Sequence, residues 1–420
     1  MSSLRHPPEK HHRSYAERAE EILGRCERLA RFTDEPGCIT RTFLSPAMED
    51  CLRLVSTWME AAGMEVAVDR AGNLRGVLHP DAPLRLMIGS HLDTVPNAGR
   101  YDGILGVLLG IALAEAVGET HPLLGLEVIG FSDEEGVRYG LPFVGSRALV
   151  GRLGPPQLAR EDANGIPMAT ALAAFADTHP EAIEAVIHPA TRAYLEFHIE
   201  QGPVLEDAGL ALGVVDAIAG QTRATLTFRG RAGHAGTTPM ALRRDALTGA
   251  AEWLLAAETL AAETPGLVAT TGRIAAEPGA INVIPGLARC SLDLRHAQDA
   301  VRTAAFTRLK SEAEAIAQRR HLEVAITLEL DQPAVELYAG LAILSDSALL
   351  AASQPPFRIV SGAGHDAMIL AEQLPSAMLF LRSPGGISHH PDEAVKAVDV
   401  ARALEAGVAW LELFEARFTA

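Results

Sequence analysis

The chain has 420 residues, of which 48% are hydrophobic and 21% are charged, and its formal net charge is −17. This length fits two or three domains of about 100–200 residues each, and the composition excludes a collagen-like or mostly disordered chain. Proteins that bind nucleic acid or anionic membrane surfaces are more often basic, so both classes are disfavoured. The charge of the whole chain does not describe a single pocket, so a small anionic substrate is still compatible with this composition.

The four cysteines lie far apart and include no C-x-x-C pair. The sequence therefore predicts free thiols in a reducing compartment, not a disulfide framework or a zinc knuckle. Residues 1–13 are polar and histidine-rich and lack the apolar core of a signal peptide. The apolar stretch 103–114 is shorter than the roughly 20 residues of a membrane span. We expect a cytoplasmic protein that does not enter a membrane.

In chain order, two helices are predicted first. Ser14 and Glu17 form a capping box ahead of apolar residues at helical spacing. Ser45 is a second N-cap, followed by Pro46 at the first helical position, and Gly63 fits the C-terminal cap of that helix.

The next segments alternate between strands and a helix. Residues 84–90 predict an apolar strand that ends at His91, residues 103–117 a buried helix, and residues 124–131 a second strand. Residues 152–192 are looser, and a further strand is predicted over 194–199. This alternation predicts an α/β sheet that is at least partly parallel, in which ligands gather at the carboxyl ends of the strands.

After Gly213 the pattern changes to strands with one apolar face. The predicted elements of this region are strands at 224–228, 288–294 and 322–328 and helices at 238–255 and 300–319. Their order suggests a separate α+β domain with βαββαβ connectivity. A strand at 375–381 and a helix at 394–415 then return to the first pattern. We therefore predict a catalytic domain formed by residues 1–212 and 331–420, with a second domain inserted at 213–330.

Five short segments concentrate metal-type ligands at or just after predicted strands and loops. They are Ser90-His-Leu-Asp93, Tyr101-Asp-Gly103, Asp133-Glu-Glu135, Glu196-Phe-His-Ile-Glu200 and Ser388-His-His-Pro391. Any one of them is more often a surface or core group, but five in one predicted domain favour a metal site. Histidine and carboxylate without cysteine suit a borderline or hard divalent cation. A carboxylate such as Asp102 can bridge two ions about 3.5–4 Å apart, and Asp93 could accept the second imidazole N–H of His91.

The chain resembles a superfamily of di-metal amidohydrolases that includes aminoacylases, dipeptidases and carboxypeptidases. Within it, the chain is most similar to the branch of N-carbamoyl-L-amino-acid amidohydrolases, β-ureidopropionases and allantoate amidohydrolases. The motifs that carry this resemblance are Gly89-Ser-His-Leu-Asp-Thr-Val95, Gly99-Arg-Tyr-Asp-Gly103, Ser132-Asp-Glu-Glu-Gly136, Glu196-Phe-His-Ile-Glu-Gln-Gly202, Gly233-His-Ala-Gly-Thr-Thr-Pro-Met240, Gly279-Ala-Ile-Asn-Val-Ile-Pro-Gly286, Ser361-Gly-Ala-Gly-His-Asp366 and Gly386-Ile-Ser-His-His-Pro391. The first three are typical of the superfamily, and the Glu-Gln-Gly, Gly-His-Ala-Gly-Thr-Thr-Pro-Met and Ser-Gly-Ala-Gly-His-Asp segments point to the branch.

The resemblance implies an α/β fold whose mixed-sheet, di-metal catalytic domain carries an inserted α+β lid and dimerisation domain. It implies two divalent ions per subunit. The ligand types are compatible with zinc, manganese, cobalt or nickel and do not select one of them. In this reading His91 and His389 hold one ion, Glu135 and His198 hold the other, and Asp102 bridges them.

The resemblance also assigns the catalytic groups. Glu134 would be the general base that takes a proton from the attacking water and returns it to the leaving nitrogen. Asp93 would orient His91.

Five further positions match substrate-binding residues of the family. His234 and Asn282 could donate hydrogen bonds to the developing oxyanion, and Arg295 offers a bidentate fork for a substrate carboxylate. Gln201 and His365 match additional substrate-side positions. In relatives the inserted domain also forms the dimer, so a homodimer is expected.

Three functions compete. The first is hydrolysis of the ureido C–N bond of an N-carbamoyl-L-amino acid or allantoate. The second is a di-metal aminoacylase or dipeptidase, which would cleave N-acyl amino acids or peptides instead. The third is a catalytically inactive binding protein, which is disfavoured because all five ligands and Glu134 are present.

Overall fold

The computed structural model describes residues 13–118 and 123–419, so most of the polar N-terminal segment lies outside the described residues. The helices are α1 (Tyr15–Leu29), α2 (Pro46–Ala61), α3 (Ile104–Val117), α4 (Val144–Leu149), α5 (Pro155–Leu158), α6 (Met168–Thr178), α7 (Val204–Asp207), α8 (Ala246–Glu263), α9 (Asp299–Arg319), α10 (Ala339–Ala351), α11 (Asp366–Leu370) and α12 (Ala397–Thr419). Within these described residues, no helix is both long and apolar enough to cross a membrane.

The strands are β1 (Glu65–Val68), β2 (Leu74–Leu78), β3 (Leu84–His91), β4 (Leu124–Phe131), β5 (Thr191–Ile199), β6 (Leu212–Ile218), β7 (Gly220–Arg229), β8 (Gly233–His234), β9 (Val268–Thr270), β10 (Ile274–Glu277), β11 (Val283–Ile284), β12 (Leu287–His296), β13 (Glu323–Gln332), β14 (Val335–Glu336), β15 (Arg358–Ser361) and β16 (Ser376–Leu381). Short 3-10 turns occur at Met240–Leu242 and Pro384–Gly386.

The chain forms two compact units. The first contains the residues up to Asp216, Leu337–Ile359 and the residues from His365 onward, and the second contains Ala217–Glu336 and Val360–Gly364. The insertion predicted at 213–330 starts and ends a few residues earlier than the long segment of the second unit. The short segment 360–364 was not anticipated, because nothing in its composition separates it from the flanking residues.

The first unit is built on a mixed sheet, as predicted. Its strands follow the order β1-β2-β4-β3-β5-β16-β6. The four central strands β4, β3, β5 and β16 are parallel, and the flanking pairs are antiparallel. Every position of β3 and β4 is buried. This explains their largely apolar sequences, because strands covered on both faces have no solvated side.

The second unit has an antiparallel sheet in the order β10-β12-β7-β13, and β9 also pairs with β12. Alternate side chains of β7, such as Leu226 and Phe228, are buried in one core together with Trp253 of α8 and Leu309 of α9. Strands β9 and β10 both pair with β12 and can be counted as one interrupted edge strand. The order of the main elements along the chain is then βαββαβ.

Three expectations about elements need correction. The helix predicted from Thr238 begins at Ala246, because the carboxylate of Asp245 caps it by accepting the N–H groups of Leu247 and Thr248. The segment 152–192, predicted as loose, contains helix α6. Strands β1 and β2 were not predicted, since they are short and lack a clear alternation.

Candidate metal centre and active site

The central feature of the site is the buried carboxylate of Asp102, whose two oxygens face different histidines. Its Oδ1 atom lies 3.5 Å from His91 Nε2 and 3.1 Å from His198 Nε2. Its Oδ2 atom lies 3.2 Å from His389 Nε2, which is also 3.2 Å from Glu135 Oε1. Among the described residues, two of the four overlapping groups of metal-type ligand atoms share Asp102: a first group of His91, Asp102 and His198, and a second group of Asp102, Glu135 and His389.

The sheet explains why these residues meet. His91 ends β3 and His198 lies near the end of β5, and these strands are parallel neighbours. Glu135 follows β4, and His389 lies in the loop after β16. Because the carboxyl ends of parallel strands share one edge, four separate segments converge on Asp102, which precedes α3.

The two groups favour a different metal pairing from the one that the resemblance implied, in which His91 and His389 held one ion and Glu135 and His198 the other. His91 and His198 belong to one group, and Glu135 and His389 belong to the other. The rings of His91 and His198 are stacked with centroids 5.7 Å apart, because β3 and β5 are adjacent. His91 and His389 do not occur together in any of these groups, so this geometry does not favour their binding the same ion.

The side chains of the first group are arranged for a cation. Asp102 Oδ1 and His198 Nε2 are buried, and neither has a hydrogen-bond partner among the described residues. Buried polar atoms are rarely left in this state, because each one has lost its water. His91 Nδ1 contacts the carbonyl oxygen of Asp93 at 3.0 Å, and His198 Nδ1 contacts that of Ile199 at 2.8 Å. These contacts place the proton on Nδ1 and leave the Nε2 lone pair for a metal, so the residues fit a divalent cation.

The carboxylate of Asp93 has a different role from the expected one. Its Oδ1 atom is 3.7 Å from His91 Nδ1, which contacts the backbone carbonyl of Asp93 instead. The two carboxylate oxygens accept the backbone N–H groups of Glu134 and Glu135, each at 3.1 Å. Asp93 thus orients His91 through its main chain and holds the Glu134–Glu135 backbone through its side chain.

Glu134, the expected base, lies beside the first group. A carboxylate oxygen of Glu134 lies within 4.8 Å of ligand atoms of His91 and Glu135, and the residue is 7% exposed. Burial raises the pKa of Glu134 well above its ordinary value, and the carboxylates of Glu135, Asp366 and Asp93 raise it further while His91 opposes them. A raised pKa suits a group that must both accept and return a proton near neutral pH.

Electrostatics shape the second group, and close packing shapes the first. The carboxylates of Asp102 and Glu135 raise the pKa of His389 to about 10, because both lie within hydrogen-bond distance of its ring. Gly103 has a φ of 69°, and a Cβ atom there would lie 2.5 Å from the ring of His91. Only glycine allows the chain to pass this closely to the ligand.

Two of the expected substrate-side residues lie in the first unit. Gln201 Nε2 donates to Asp102 Oδ2 at 2.9 Å and to Ser388 Oγ at 3.2 Å, so its amide holds the shared carboxylate. The ring of His365 lies edge-on to that of His198, with centroids 4.5 Å apart. Burial lowers the pKa of His365 well below its ordinary value, and the nearby His198 adds to this effect. Both effects act against a protonated imidazole at this position.

The sequence did not assign a role to Ser388 or Glu393, two further residues at this site. Ser388 Oγ donates to Asp102 Oδ2 at 2.9 Å. Glu393 Oε1 accepts the backbone N–H groups of Tyr101 and Asp102, at 2.8 and 3.1 Å. A lone serine and a lone glutamate in a polar loop carry no periodic signal, so only the folded chain reveals their contacts.

The other three expected substrate residues lie in the second unit. His234 and Asn282 are brought together by the ribbon of β8 and β11, in which the N–H of Ala235 donates to the carbonyl oxygen of Asn282 at 2.9 Å. Arg295 lies on β12 instead. Its Nε and Nη2 atoms bind the carboxylate of Asp293 at 2.7 and 2.8 Å, and Nη1 donates to the carbonyl oxygen of Gly362 at 2.6 Å.

Sequence comparison places this geometry in a known family. Residues 87–414 match the model described as Peptidase family M20/M25/M40. The chain belongs to this peptidase family. The match spans both ligand groups and Glu134, in agreement with the family identified from the motifs.

Individual members of the family extend the match to nearly the whole chain. An allantoate deiminase of Arabidopsis thaliana is 38% identical over 446 residues, covering 97% of this chain and 84% of that protein. An N-carbamoyl-L-amino acid amidohydrolase of Geobacillus stearothermophilus is 39% identical over 388 residues, covering 89% of this chain and 93% of that protein. A solved amidase of the hydantoinase/carbamoylase family from Burkholderia multivorans has a TM-score of 0.88 at 30% identity, covering 94% of this chain and 97% of that one.

Proposed function

We propose that this protein hydrolyses the ureido C–N bond of an N-carbamoyl-L-amino acid or of allantoate. The observation that carries the proposal is the sharing of Asp102 between two ligand groups, with Glu134 beside them. Similarity to allantoate deiminases and N-carbamoyl-L-amino-acid amidohydrolases supports the ureido group as the target.

We propose two divalent ions per subunit. His91, Asp102 and His198 would hold one, and Asp102, Glu135 and His389 would hold the other. The donors are imidazole nitrogens and carboxylate oxygens, which zinc, manganese, cobalt and nickel all accept. When bound, these cations supply Lewis acidity that polarises the ureido carbonyl and acidifies water.

The residues of the chain complete the reaction. Glu134 takes a proton from the water that attacks the ureido carbon, and it returns this proton to the substituted nitrogen as the C–N bond breaks. The amine product leaves, and the carbamic acid that remains decays to ammonia and carbon dioxide. His234 and Asn282, which lie together on one ribbon, would donate hydrogen bonds to the carbonyl oxygen as its negative charge develops.

Arg295 is proposed to bind the carboxylate of the substrate. Asp293 occupies the Nε edge of its guanidinium and fixes the plane of the group. Donors on the Nη atoms are left to receive a second carboxylate end-on, and only a guanidinium offers two such edges.

We also propose a homodimer formed through the second unit. Strand β13 lies at the end of the sheet order and exposes Leu328. An edge strand with free backbone groups readily pairs with a second copy. Met240 and Ile281, close in sequence to the His234–Asn282 ribbon, are exposed apolar side chains that a partner subunit would cover. A cytoplasmic location is proposed because all four cysteines are free thiols.

A turnover screen tests the proposed function. The full-length protein, reconstituted with zinc or manganese, would be incubated with allantoate, β-ureidopropionate, N-carbamoyl-L-amino acids, N-acetyl amino acids and dipeptides. We expect ammonia and amine to be released in equal amounts from at least one ureido substrate. If amine is released only from the N-acetyl amino acids or the dipeptides, the protein is an aminoacylase or a dipeptidase instead.

A further inference from the structure

Glu393 connects two loops of the metal centre that are far apart in sequence. Its side chain is 3% exposed. Oε1 accepts the backbone N–H groups of Tyr101 and Asp102, at 2.8 and 3.1 Å. A Cβ atom at position 99 would collide with the Glu393 side chain, so Gly99 is what allows the two loops to approach.

The second oxygen of Glu393 faces its own loop. Ser388 Oγ lies 3.3 Å from Glu393 Oε2 and 2.9 Å from Asp102 Oδ2. The hydroxyl therefore sits between the glutamate and the shared aspartate, next in sequence to the ligand His389. One buried carboxylate thus contacts the backbone that carries Asp102 and the serine that precedes His389.

These contacts fix directions as well as distances. A peptide N–H has a set orientation, so a carboxylate that accepts two successive N–H groups fixes the backbone at Tyr101 and Asp102. The direction of the Asp102 side chain follows from that backbone. Groups of this kind, one layer behind the ligands, commonly set the affinity of a metal site.

Two of the three residues of the first ligand group, His91 and His198, do not depend on these contacts, and only the shared Asp102 does. His91 and His198 lie on adjacent strands, and each is oriented by a backbone carbonyl. Glu135 is held by the carboxylate of Asp93. Only the Asp102 and His389 loops, which supply two of the three residues of the second group, meet at Glu393.

We propose that Glu393 is a positioning residue that aligns Asp102 Oδ2 with His389, so that both converge with Glu135 on one cation. This inference rests on the proposed two-ion centre. Glu393 itself touches neither a metal nor the substrate in this role.

The test is the binding of Zn²⁺ to full-length metal-free protein, measured by equilibrium dialysis with a chelator-buffered ion series. We expect Glu393→Ala to weaken binding of the ion at the second group about 10–100-fold and to weaken the other ion less, because only one of the three residues of the first group is held by Glu393. Glu393→Gln should stay close to wild type, because its amide oxygen can still accept both N–H groups. Glu393→Asp keeps the charge but is one methylene shorter, so it should behave like the alanine variant.

Asp245→Ala is the matched control. Its carboxylate also accepts two backbone N–H groups, of Leu247 and Thr248 at 3.0 and 3.2 Å, but it caps α8 in the second unit. This variant should lower thermal stability and leave both ion affinities unchanged.

The outcomes separate the two levels of the proposal. If wild-type protein binds fewer than two ions, the proposed two-ion centre fails before Glu393 is considered. If wild type binds two ions and Glu393→Ala binds both as tightly, the positioning role is wrong. If Glu393→Ala shows no cooperative melting, the glutamine and aspartate variants decide. If Glu393→Asp binds both ions tightly and Glu393→Gln does not, then the charge of the side chain matters and its length does not. That result would overturn the inference.

Discussion

The Oδ1 atom of Asp102 and the Nε2 atom of His198 lie 3.1 Å apart in a buried site, and neither has a hydrogen-bond partner among the described residues. Two acceptor-type ligand atoms held this closely repel each other unless a proton or a cation lies between them. His198 Nδ1 already contacts the carbonyl oxygen of Ile199 at 2.8 Å. The pair therefore leads directly to a prediction about metal.

Removal of the metal should abolish turnover. Dialysis against a strong chelator is expected to remove ions from both groups, and added zinc or manganese should restore activity, because the attacking water needs the acidity that the cations supply. Activity would be followed together with metal content by mass spectrometry. Full turnover in a preparation with no detectable metal would contradict the mechanism.

Glu134→Gln should fold and bind both ions but lose turnover. Glutamine keeps the shape of the side chain and lacks the basic oxygen, so the rate should fall by about 10²-fold or more. Glu135→Gln is the comparison, because Glu135 belongs to the second ligand group and its loss should reduce metal content. If metal content falls in Glu134→Gln and not in Glu135→Gln, the roles of the two glutamates are reversed.

Arg295→Lys should impair hydrolysis of substrates that carry a carboxylate. Loss of a charge-assisted pair is expected to cost about 2–5 kcal/mol in kcat/KM, and a poorly positioned substrate should lower kcat as well as raise KM. Arg223→Lys is the matched control, because Arg223 also binds Asp293 through Nε, at 3.0 Å, and has no proposed substrate contact. Neutral ureido analogues should be poor substrates that Arg295→Lys hardly affects.

The Arg295 prediction has a clear failure. Equal kcat/KM values for wild type and Arg295→Lys on every carboxylate substrate would show that the guanidinium serves only its contacts with Asp293 and Gly362. An equal loss in Arg223→Lys would point to the same conclusion.

The protein is predicted to be a homodimer in solution. Light scattering should give about twice the mass of one chain, and a charged substitution of Leu328 on the edge strand β13 should shift the equilibrium toward monomer. A fully active wild-type monomer would exclude both the dimer and any contribution of a partner to the site.

The sequence was sufficient for the features that local patterns determine. The apolar runs of β3 and β4 and the polar residues that follow them predicted strands with candidate ligands at their carboxyl ends, and His91 and Glu135 lie there. The capping box of Ser14 and Glu17 is present at the start of α1. The βαββαβ order followed from the alternating strands of the second unit.

Other features depend on which strands are neighbours, and one sequence does not give this. The grouping of His91 with His198 follows from the adjacency of β3 and β5, whereas the resemblance had implied a pairing of His91 with His389. The contact of Asp93 with the backbone of Glu134, like that of Glu393 with Asp102, joins segments that are distant in sequence. Such contacts leave no periodic pattern along the chain.

Anomalous diffraction from crystals of the zinc-reconstituted protein tests the central claim most directly. The account predicts two peaks about 3.5–4 Å apart on either side of the Asp102 carboxylate. The ion at one peak should be bound by His91 and His198, and the ion at the other by Glu135 and His389. A single peak, or a peak shared by His91 and His389 without His198, would contradict it.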